Sequence, residues 1–189
     1  MIATPKQKYM TPQDYLEWEE RQNTKYEYVN GEVLAMTGGT IPHNAVAVNL
    51  TTALRNHVRG SSCRVFMADV KVGVSENGPF HYPDVMVTCN ERDRQAIKFI
   101  QYPCLIAEVL SPGTEGYDRG GKFAHYRRIK TLREYVLIDA QQINVECFRL
   151  NEKGIWELHP YTEGDEIYLN SIDFHCPISL IYEDVQFPN

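Results

Sequence analysis

Apolar residues recur at helical spacing in one part of the chain and form short continuous runs in others. Residues 42–59 carry apolar side chains three and four apart and end before Gly60, which predicts a helix. Short runs that are almost entirely apolar are typical of strands buried on both faces of a sheet. Such runs occupy residues 63–67, 70–74, 82–89, 104–110 and 135–139.

Capping and turn residues divide the rest of the chain. Residues 1–10 are expected to form a loose tail. Thr11 before Pro12 predicts the start of a helix that ends near residues 22–23. Asn-Gly within residues 26–36 predicts a β-hairpin. Antiparallel strands are predicted at the end of the chain, at residues 143–150, 155–161 and 167–169.

This order of elements predicts an α/β fold with a mixed β-sheet and a helix on each side. An N-terminal helix and hairpin precede the sheet, and C-terminal antiparallel strands follow it. We expect residues 1–189 to form one domain, in which residues 150–189 are an acidic C-terminal extension.

Two carboxylates interrupt the predicted strands. Glu108 lies within the apolar run 104–110, and Asp84 begins another strand. A buried charge is costly unless it is paired or binds a metal. Lys122 follows Glu108 at the start of the next predicted helix, on the same face as Asp118. Two carboxylates with a lysine nearby suit a Mg²⁺-dependent phosphodiester site.

Simpler interpretations exist for each of these residues alone. Asp84 after Pro83 could hydrogen-bond its own backbone in a turn. Glu108 could be a paired structural acid, and Lys122 a surface residue. The prediction of a site therefore depends on the combination.

Composition limits the classes of protein that this chain can belong to. Its 189 residues are 43% hydrophobic, and no apolar run approaches the ~20 residues of a membrane span. We expect a cytoplasmic protein without a membrane partner. The five cysteines form no CxxC pair and are expected to be small core residues in a reducing compartment. The six histidines form no HxxxH pattern, which argues against structural zinc.

Charge is distributed unevenly around a net value of −6. Residues 150–189 contain eight acids and one base, whereas residues 115–134 contain six bases and three acids. The second segment predicts a basic helix, with Arg119 and Arg133 near its ends. Its bases either contact phosphates or form an ordinary solvated face.

Several short stretches form a recognisable set when taken together. They are residues 26–32, His43, residues 82–84, residues 108–112, Asp118, Lys122, Tyr126 and residues 134–139. The set resembles the Uma2 family (DUF820), a group abundant in cyanobacteria, within the PD-(D/E)xK restriction-endonuclease-like superfamily. The resemblance extends over about residues 11–150.

The resemblance implies a restriction-endonuclease-like fold and a Mg²⁺-dependent (or Mn²⁺-dependent) endodeoxyribonuclease. Asp84 and Glu108 would hold the metal, and Lys122 would assist the attacking water. DNA would be the partner, and a homodimer is expected because many nucleases of this fold dimerise. Glu32 and His43 are further candidate catalytic residues, Glu32 because the superfamily often adds an acid from an earlier element.

One position departs from the superfamily pattern. The lysine of Glu-x-Lys should lie two residues after the acid, but Leu110 stands there. The resemblance suggests that Lys122 replaces it from the following helix. Lys71 is a less favoured reserve, because its strand is expected beside that of Asp84. Two alternatives remain open: an inactive nucleic-acid-binding or scaffold protein of the same fold, and a small phosphoester hydrolase.

Overall fold

The computed structural model describes residues 9–187, so most of the expected N-terminal tail lies outside the described part. Within residues 9–187 no helix is both long and apolar enough to cross a bilayer. The α-helices are α1 Pro12–Glu19, α2 Ile41–His57, α3 Glu115–Tyr117, α4 Phe123–Tyr126 and α5 Ile178–Ile181. A π-helical turn, Asp118–Lys122, joins α3 to α4, and 3₁₀ turns occupy Glu91–Gln95 and Asn170–Ile172.

Thirteen strands in the described residues form three sheets. In chain order they are β1 Tyr26–Val29, β2 Glu32–Ala35, β3 Arg64–Met67, β4 Lys71–Gly73, β5 Phe80–His81, β6 Val85–Thr88, β7 Phe99–Ile100, β8 Leu105–Leu110, β9 Glu134–Asp139, β10 Asn144–Leu150, β11 Trp156–Thr162, β12 Glu166–Leu169 and β13 Phe174–Pro177. The central sheet has the order β11-β10-β9-β8-β6-β3, the N-terminal sheet the order β2-β1-β5-β4-β7, and β12 pairs with β13.

The central sheet is mixed because β8 runs parallel to β9 and antiparallel to β6. A parallel pair needs a crossover connection, and the helical segment α3–α4 provides it between these two strands. All six side chains of β8 are buried, as expected for a strand covered on both faces.

The two faces of β8 pack against different layers. Leu105, Ala107 and Val109 join the cluster that contains Val46 and Leu50 of α2. Their neighbours in sequence point to the opposite face, because side chains alternate along a strand. There Ile106 and Leu110 join a second cluster with side chains of α4 and of the N-terminal sheet. Glu108, between Ile106 and Leu110, shares this second face.

The structure confirms the predicted mixed α/β architecture and most of its elements. Thr11 and Asp14 form a capping box on α1, and Asn30 and Gly31 turn the first hairpin with φ of 50° and 94°. Such positive φ values at both central positions are those of the type I′ turn that Asn-Gly favours.

Some boundaries and placements were wrong. α1 ends at Glu19, short of residues 22–23. The predicted basic helix ends at Tyr126, because the chain then turns into β9. β4, which carries Lys71, pairs with β5 and β7 and does not lie beside β6. Strand β13 and helix α5 were not predicted.

The cysteine prediction was wrong for one pair. Cys63 and Cys89 form a disulfide. Arg64 pairs with Thr88 in the antiparallel ladder of β3 and β6, so the adjacent residues Cys63 and Cys89 lie opposite each other. Cys147 and Cys176 are buried in the core, as predicted. Sequence spacing alone does not reveal a pair that meets through strand register.

The disulfide gives a testable contribution to stability. The two cysteines are 26 residues apart. Closing such a loop raises the free energy of unfolding by about 3.5 kcal/mol in the chain-entropy description. We expect the Cys63→Ser/Cys89→Ser variant to lose about that amount in urea denaturation. Reductant should lower the wild type to the same level and leave the variant unchanged. Free thiols at both positions in mass spectrometry of the unreduced protein would contradict the assignment.

Candidate active site

Asp84 and Glu108 meet at the junction of β6 and β8. Val85 pairs with Ala107 in the antiparallel ladder of β6 and β8. The residue before Val85, Asp84, and the residue after Ala107, Glu108, therefore lie opposite each other. The Asp84 amide donates to Glu108 Oε2 at 3.4 Å, and the Val109 amide donates to Asp84 Oδ2 at 2.7 Å. Two acids that are 24 residues apart in sequence thus lie at one point of the central sheet.

Lys122 completes this cluster from the crossover. Its Nζ lies 3.2 Å from Glu108 Oε1, 3.3 Å from Asp118 Oδ1 and 3.3 Å from Glu27 Oε1. Leu110, at the usual place of the superfamily lysine, is packed in the hydrophobic core instead. The lysine therefore reaches Glu108 from the helical layer above the strand.

The helical segment makes this reach through a π-helical turn, Asp118–Lys122. Such turns are rare and occur often at functional sites. The turn contains Gly120 and Gly121. A Cβ on Gly121 would lie 2.4 Å from the Tyr117 ring, whereas a Cβ on Gly120 would meet open space. The close approach of Tyr117 therefore requires glycine at position 121.

These two glycines form a matched pair for mutagenesis. Gly121→Ala should displace the Tyr117 ring and lower the free energy of unfolding by about 1–3 kcal/mol. Gly120→Ala should be neutral, or stabilising by up to about 1 kcal/mol, since it restricts the unfolded chain without a clash. Chemical denaturation measures both. Equal losses in the two variants would show that the Tyr117 contact is not the cause.

The electrostatics of the cluster are dominated by the burial of Glu108, which is 2% exposed. Burial raises the pKa of Glu108 to about 8, and the Lys122 charge offsets this only in part. Asp84, Asp118 and Glu27 also raise it. The Tyr126 hydroxyl donates to Glu108 Oε1 at 2.8 Å. Three carboxyl groups thus contact the Lys122 ammonium, and Asp84 adds a fourth carboxyl beside Glu108. This excess of acids favours an additional cation.

Glu27 was missed by sequence reasoning, which selected Glu32. Both acids lie on the same face of the β1–β2 hairpin, because Glu27 pairs with Leu34 and Val29 pairs with Glu32. Glu27 is buried and contacts Lys122, whereas Glu32 is exposed beside the turn. Among residues 9–187, no hydrogen bond or ion pair joins the Glu32 side chain to this cluster. Burial beneath the packed helix, which the sequence does not show, distinguishes the two.

The charge on Glu27 should make stability depend on acid pH. Burial alone would raise the pKa of Glu27, but the Lys122 charge and the His81 hydrogen bond outweigh it and lower the pKa from 4.5 to about 2. A depressed carboxyl pKa stabilises the fold above the unfolded-state value, and this stabilisation is lost as pH falls through the folded-state value.

We therefore expect the stability difference between wild type and Glu27→Gln to shrink as pH falls from about 5 to about 2. Urea denaturation midpoints across this range measure the difference. Glu32→Gln is the control, since an exposed acid should contribute little at any pH. A constant difference for Glu27→Gln would contradict the assigned ion pair.

His43 approaches Asp84 from the first turn of α2. Thr40 caps this helix by accepting from the His43 amide at 3.4 Å, which fixes the first turn. His43 Nε2 lies 3.4 Å from Asp84 Oδ2. Burial would lower the pKa of His43, but its hydrogen bond to Asp84 outweighs this and raises it. The raised pKa favours the protonated, positively charged form of His43 beside Asp84.

Lys71 lies in a separate buried cluster. Its Nζ contacts Glu19 Oε2 at 2.6 Å, and the Tyr82 hydroxyl donates to Glu19 Oε1 at 2.6 Å. The ammonium also lies over the rings of Tyr15 and Tyr82. Lys71 thus ties α1 to the N-terminal sheet and does not contact Glu108 or Asp84.

The donor chemistry of the cluster fits a hard divalent cation. Among residues 9–187, no group of three or more His, Cys, Asp or Glu residues is arranged to hold a metal. Mg²⁺ commonly uses only one or two protein carboxylates and completes its shell with water and substrate phosphate. Asp84 and Glu108 supply two carboxylates, and the Asp84 side chain is 20% exposed, so the pair is open to solvent on one side.

The six bases of residues 115–134 differ in their surroundings, and Lys122 is buried in the cluster described above. Arg119 is occupied by ion pairs to Glu115 and Glu146. The bases beyond α4 are exposed and lie in the turns that lead to β9. They are Arg127, Arg128, Lys130 and Arg133. The exposed group, and not a continuous helix, is the basic surface of this region.

Comparison with known proteins identifies one matching family profile and several similar proteins. The family profile described as "Uma2: Putative restriction endonuclease" matches residues 12–179. An uncharacterised protein of Synechocystis is 39% identical over 178 residues, which cover 94% of this chain and 94% of that protein. A second uncharacterised Synechocystis protein is 34% identical over 152 residues, covering 79% and 85%.

A solved structure has the same fold at low sequence identity. It is described as a "putative nuclease belonging to DUF820 from Anabaena variabilis", and it superposes with a TM-score of 0.75 at 17% identity. The match covers 92% of this chain and 97% of the other. The restriction-endonuclease-like resemblance drawn from the sequence is thereby supported at the level of fold. Given the profile match over most of its length and the two close relatives, the chain belongs to the Uma2 family.

Proposed function

We propose that this protein is a divalent-metal-dependent endonuclease that hydrolyses DNA phosphodiester bonds. The observation that carries the proposal is the buried Glu108 carboxyl, which meets Asp84 across the β6–β8 junction and Lys122 at 3.2 Å. The family description and the nuclease named as a structural neighbour point to the same reaction class.

Asp84 and Glu108 would hold the cation, Mg²⁺ or Mn²⁺. When bound, such an ion polarises the phosphate and makes a water molecule more nucleophilic at neutral pH. Since burial raises the pKa of Glu108 to about 8, a cation beside it would also restore its ionised form.

The remaining residues have roles that follow from their charge and position. Lys122 carries an ammonium whose pKa is raised well above its usual value: burial opposes this, but Glu108, Glu27 and Asp118 outweigh it. It therefore stays charged and serves to orient water and to offset negative charge on the phosphate, and not as a base. His43, on the Asp84 side, would donate a hydrogen bond to a phosphate oxygen.

DNA would approach the solvent-open side of Asp84. The protein is acidic overall, with a net charge of −6, so non-specific affinity should be modest. Phosphate contacts would come from the bound cation and from the exposed bases between Arg127 and Arg133. A homodimer that cuts both strands is part of the proposal, as expected from the resemblance to this class of nuclease.

The test is nicking of supercoiled plasmid with Mg²⁺ or Mn²⁺ and with EDTA. We expect metal-dependent nicking by the wild type. Glu108→Gln and Lys122→Met should each reduce the rate by about 100-fold or more, because each removes charge from the reacting centre.

The two buried lysines supply a matched control. Lys71→Met also removes a buried, ion-paired ammonium, but from the cluster around Glu19, so it should destabilise the fold and leave the cleavage rate of folded protein near wild type. Equal nicking by wild type and Glu108→Gln would rule out this site. Metal-independent DNA retention without cleavage would favour the binding-protein alternative, and cleavage of nucleotides but not plasmid would favour a small phosphoester hydrolase.

A further inference from the structure

A chain of hydrogen bonds leads from Lys122 to the protein surface. Glu27 contacts Lys122 through Oε1 and the His81 ring through Oε2, with Oε2 and His81 Nδ1 3.0 Å apart. On the other side of that ring, His81 Nε2 lies 3.0 Å from His125 Nδ1. His125 is half-buried on α4, so the chain ends where a proton can exchange with solvent.

Burial, hydrogen bonds and ring stacking hold His81 and His125, here called the histidine pair, in contact. His81 is 0% exposed, and both of its ring nitrogens have partners. The two rings stack, with centroids 5.2 Å apart and an interplanar angle of 17°. The residues are 44 apart in sequence and come from β5 and α4.

The chemistry of these groups allows the pair to share one added proton. An ionised carboxylate only accepts hydrogen bonds, so His81 Nδ1 must carry a proton toward Glu27. With both rings neutral, His81 Nε2 accepts from His125 Nδ1. One added proton, taken up at His125 Nε2, lets the Nδ1 proton of His125 move to His81 Nε2. The positive charge then lies on His81, and His125 is again neutral.

We infer that the histidine pair is a proton-operated positioning device for Lys122, acting through Glu27. With the pair neutral, Lys122 is the only cation that contacts Glu27 among the described residues. With the pair protonated, the His81 imidazolium competes for Glu27, and the ammonium shifts toward Glu108 and Asp118. The inference rests on the proposed function, since it assigns a pH-dependent control to the lysine of that site.

The groups around the pair are consistent with uptake of a single proton. His81 faces Glu27 from β1, Tyr117 from α3, and His125 and Tyr126 from α4. His125 also feels the charge of Arg128. Burial, His81 and Arg128 lower the pKa of His125, which opposes a second positive charge on the pair.

The first test is an NMR titration of metal-free protein with ¹⁵N-labelled histidine and lysine. We expect the signals of the two rings to change together in one pH step, because they share one added proton. The Lys122 signal should shift at the same midpoint. His125→Phe keeps a stacked ring but removes the hydrogen-bond partner of His81 Nε2, so the pH step in the Lys122 signal should move to lower pH. Separate pH steps for the two rings, or a Lys122 signal that does not shift in the same step, would overturn the inference.

The second test is the pH profile of plasmid nicking at saturating Mg²⁺. The midpoint of one limb should coincide with the NMR midpoint and move in the same direction in His125→Phe. The matched control is His175→Gln, an exposed histidine on β13, which should leave the profile unchanged. A profile unchanged by His125→Phe would contradict a role for the pair in the reaction. Absence of nicking by the wild type would overturn the proposed function, and the NMR titration would still decide the coupling.

Discussion

The burial of one carboxyl group, that of Glu108, organises the structure around the site. The other five side chains of β8 are apolar, and all six are buried. Placing an acid there costs free energy unless other groups meet its hydrogen-bonding capacity and charge. The crossover helices supply Lys122 and Tyr126 for this purpose, and the start of β6 supplies the Asp84 amide. When the helical layer packs on the sheet, it therefore also brings Lys122 and Tyr126 to Glu108 and assembles the site.

The N-terminal sheet is part of the same arrangement. It packs against the face of the central sheet that carries Glu108, and its Val72 and Ile100 lie in the same hydrophobic cluster as α4. Through Glu27 and His81 it also adds charge and hydrogen bonds around Lys122. Lys122 takes its position from both layers, because Glu27 comes from the N-terminal sheet and Asp118 from the crossover. This explains how the amine can come from the helix while Leu110 fills the core.

Local patterns explain which predictions were right. Asn-Gly specifies a tight hairpin through positive φ at two residues, and Thr11 with Asp14 specifies a helix start through its own hydrogen bonds. Glu108 is conspicuous because a single acid within an apolar strand has few structural explanations. The failed predictions concern partners remote in sequence. Cys63 and Cys89 meet through strand register, and the basic segment ends as a helix where the chain must turn into β9.

Glu27 and Glu32 show where sequence information ends. Each is an acid in the same short hairpin and on the same face, so periodicity cannot separate them. Only the packing of the helical layer buries one beside Lys122 and leaves the other in solvent. The linear chain was sufficient to indicate the α/β architecture and to single out the two strand carboxylates, because these depend on local patterns and on unusual buried charge, and the family resemblance pointed to Lys122. The histidine pair, the additional acid and the disulfide depend on contacts between segments far apart in the chain, and these exist only once the layers have packed.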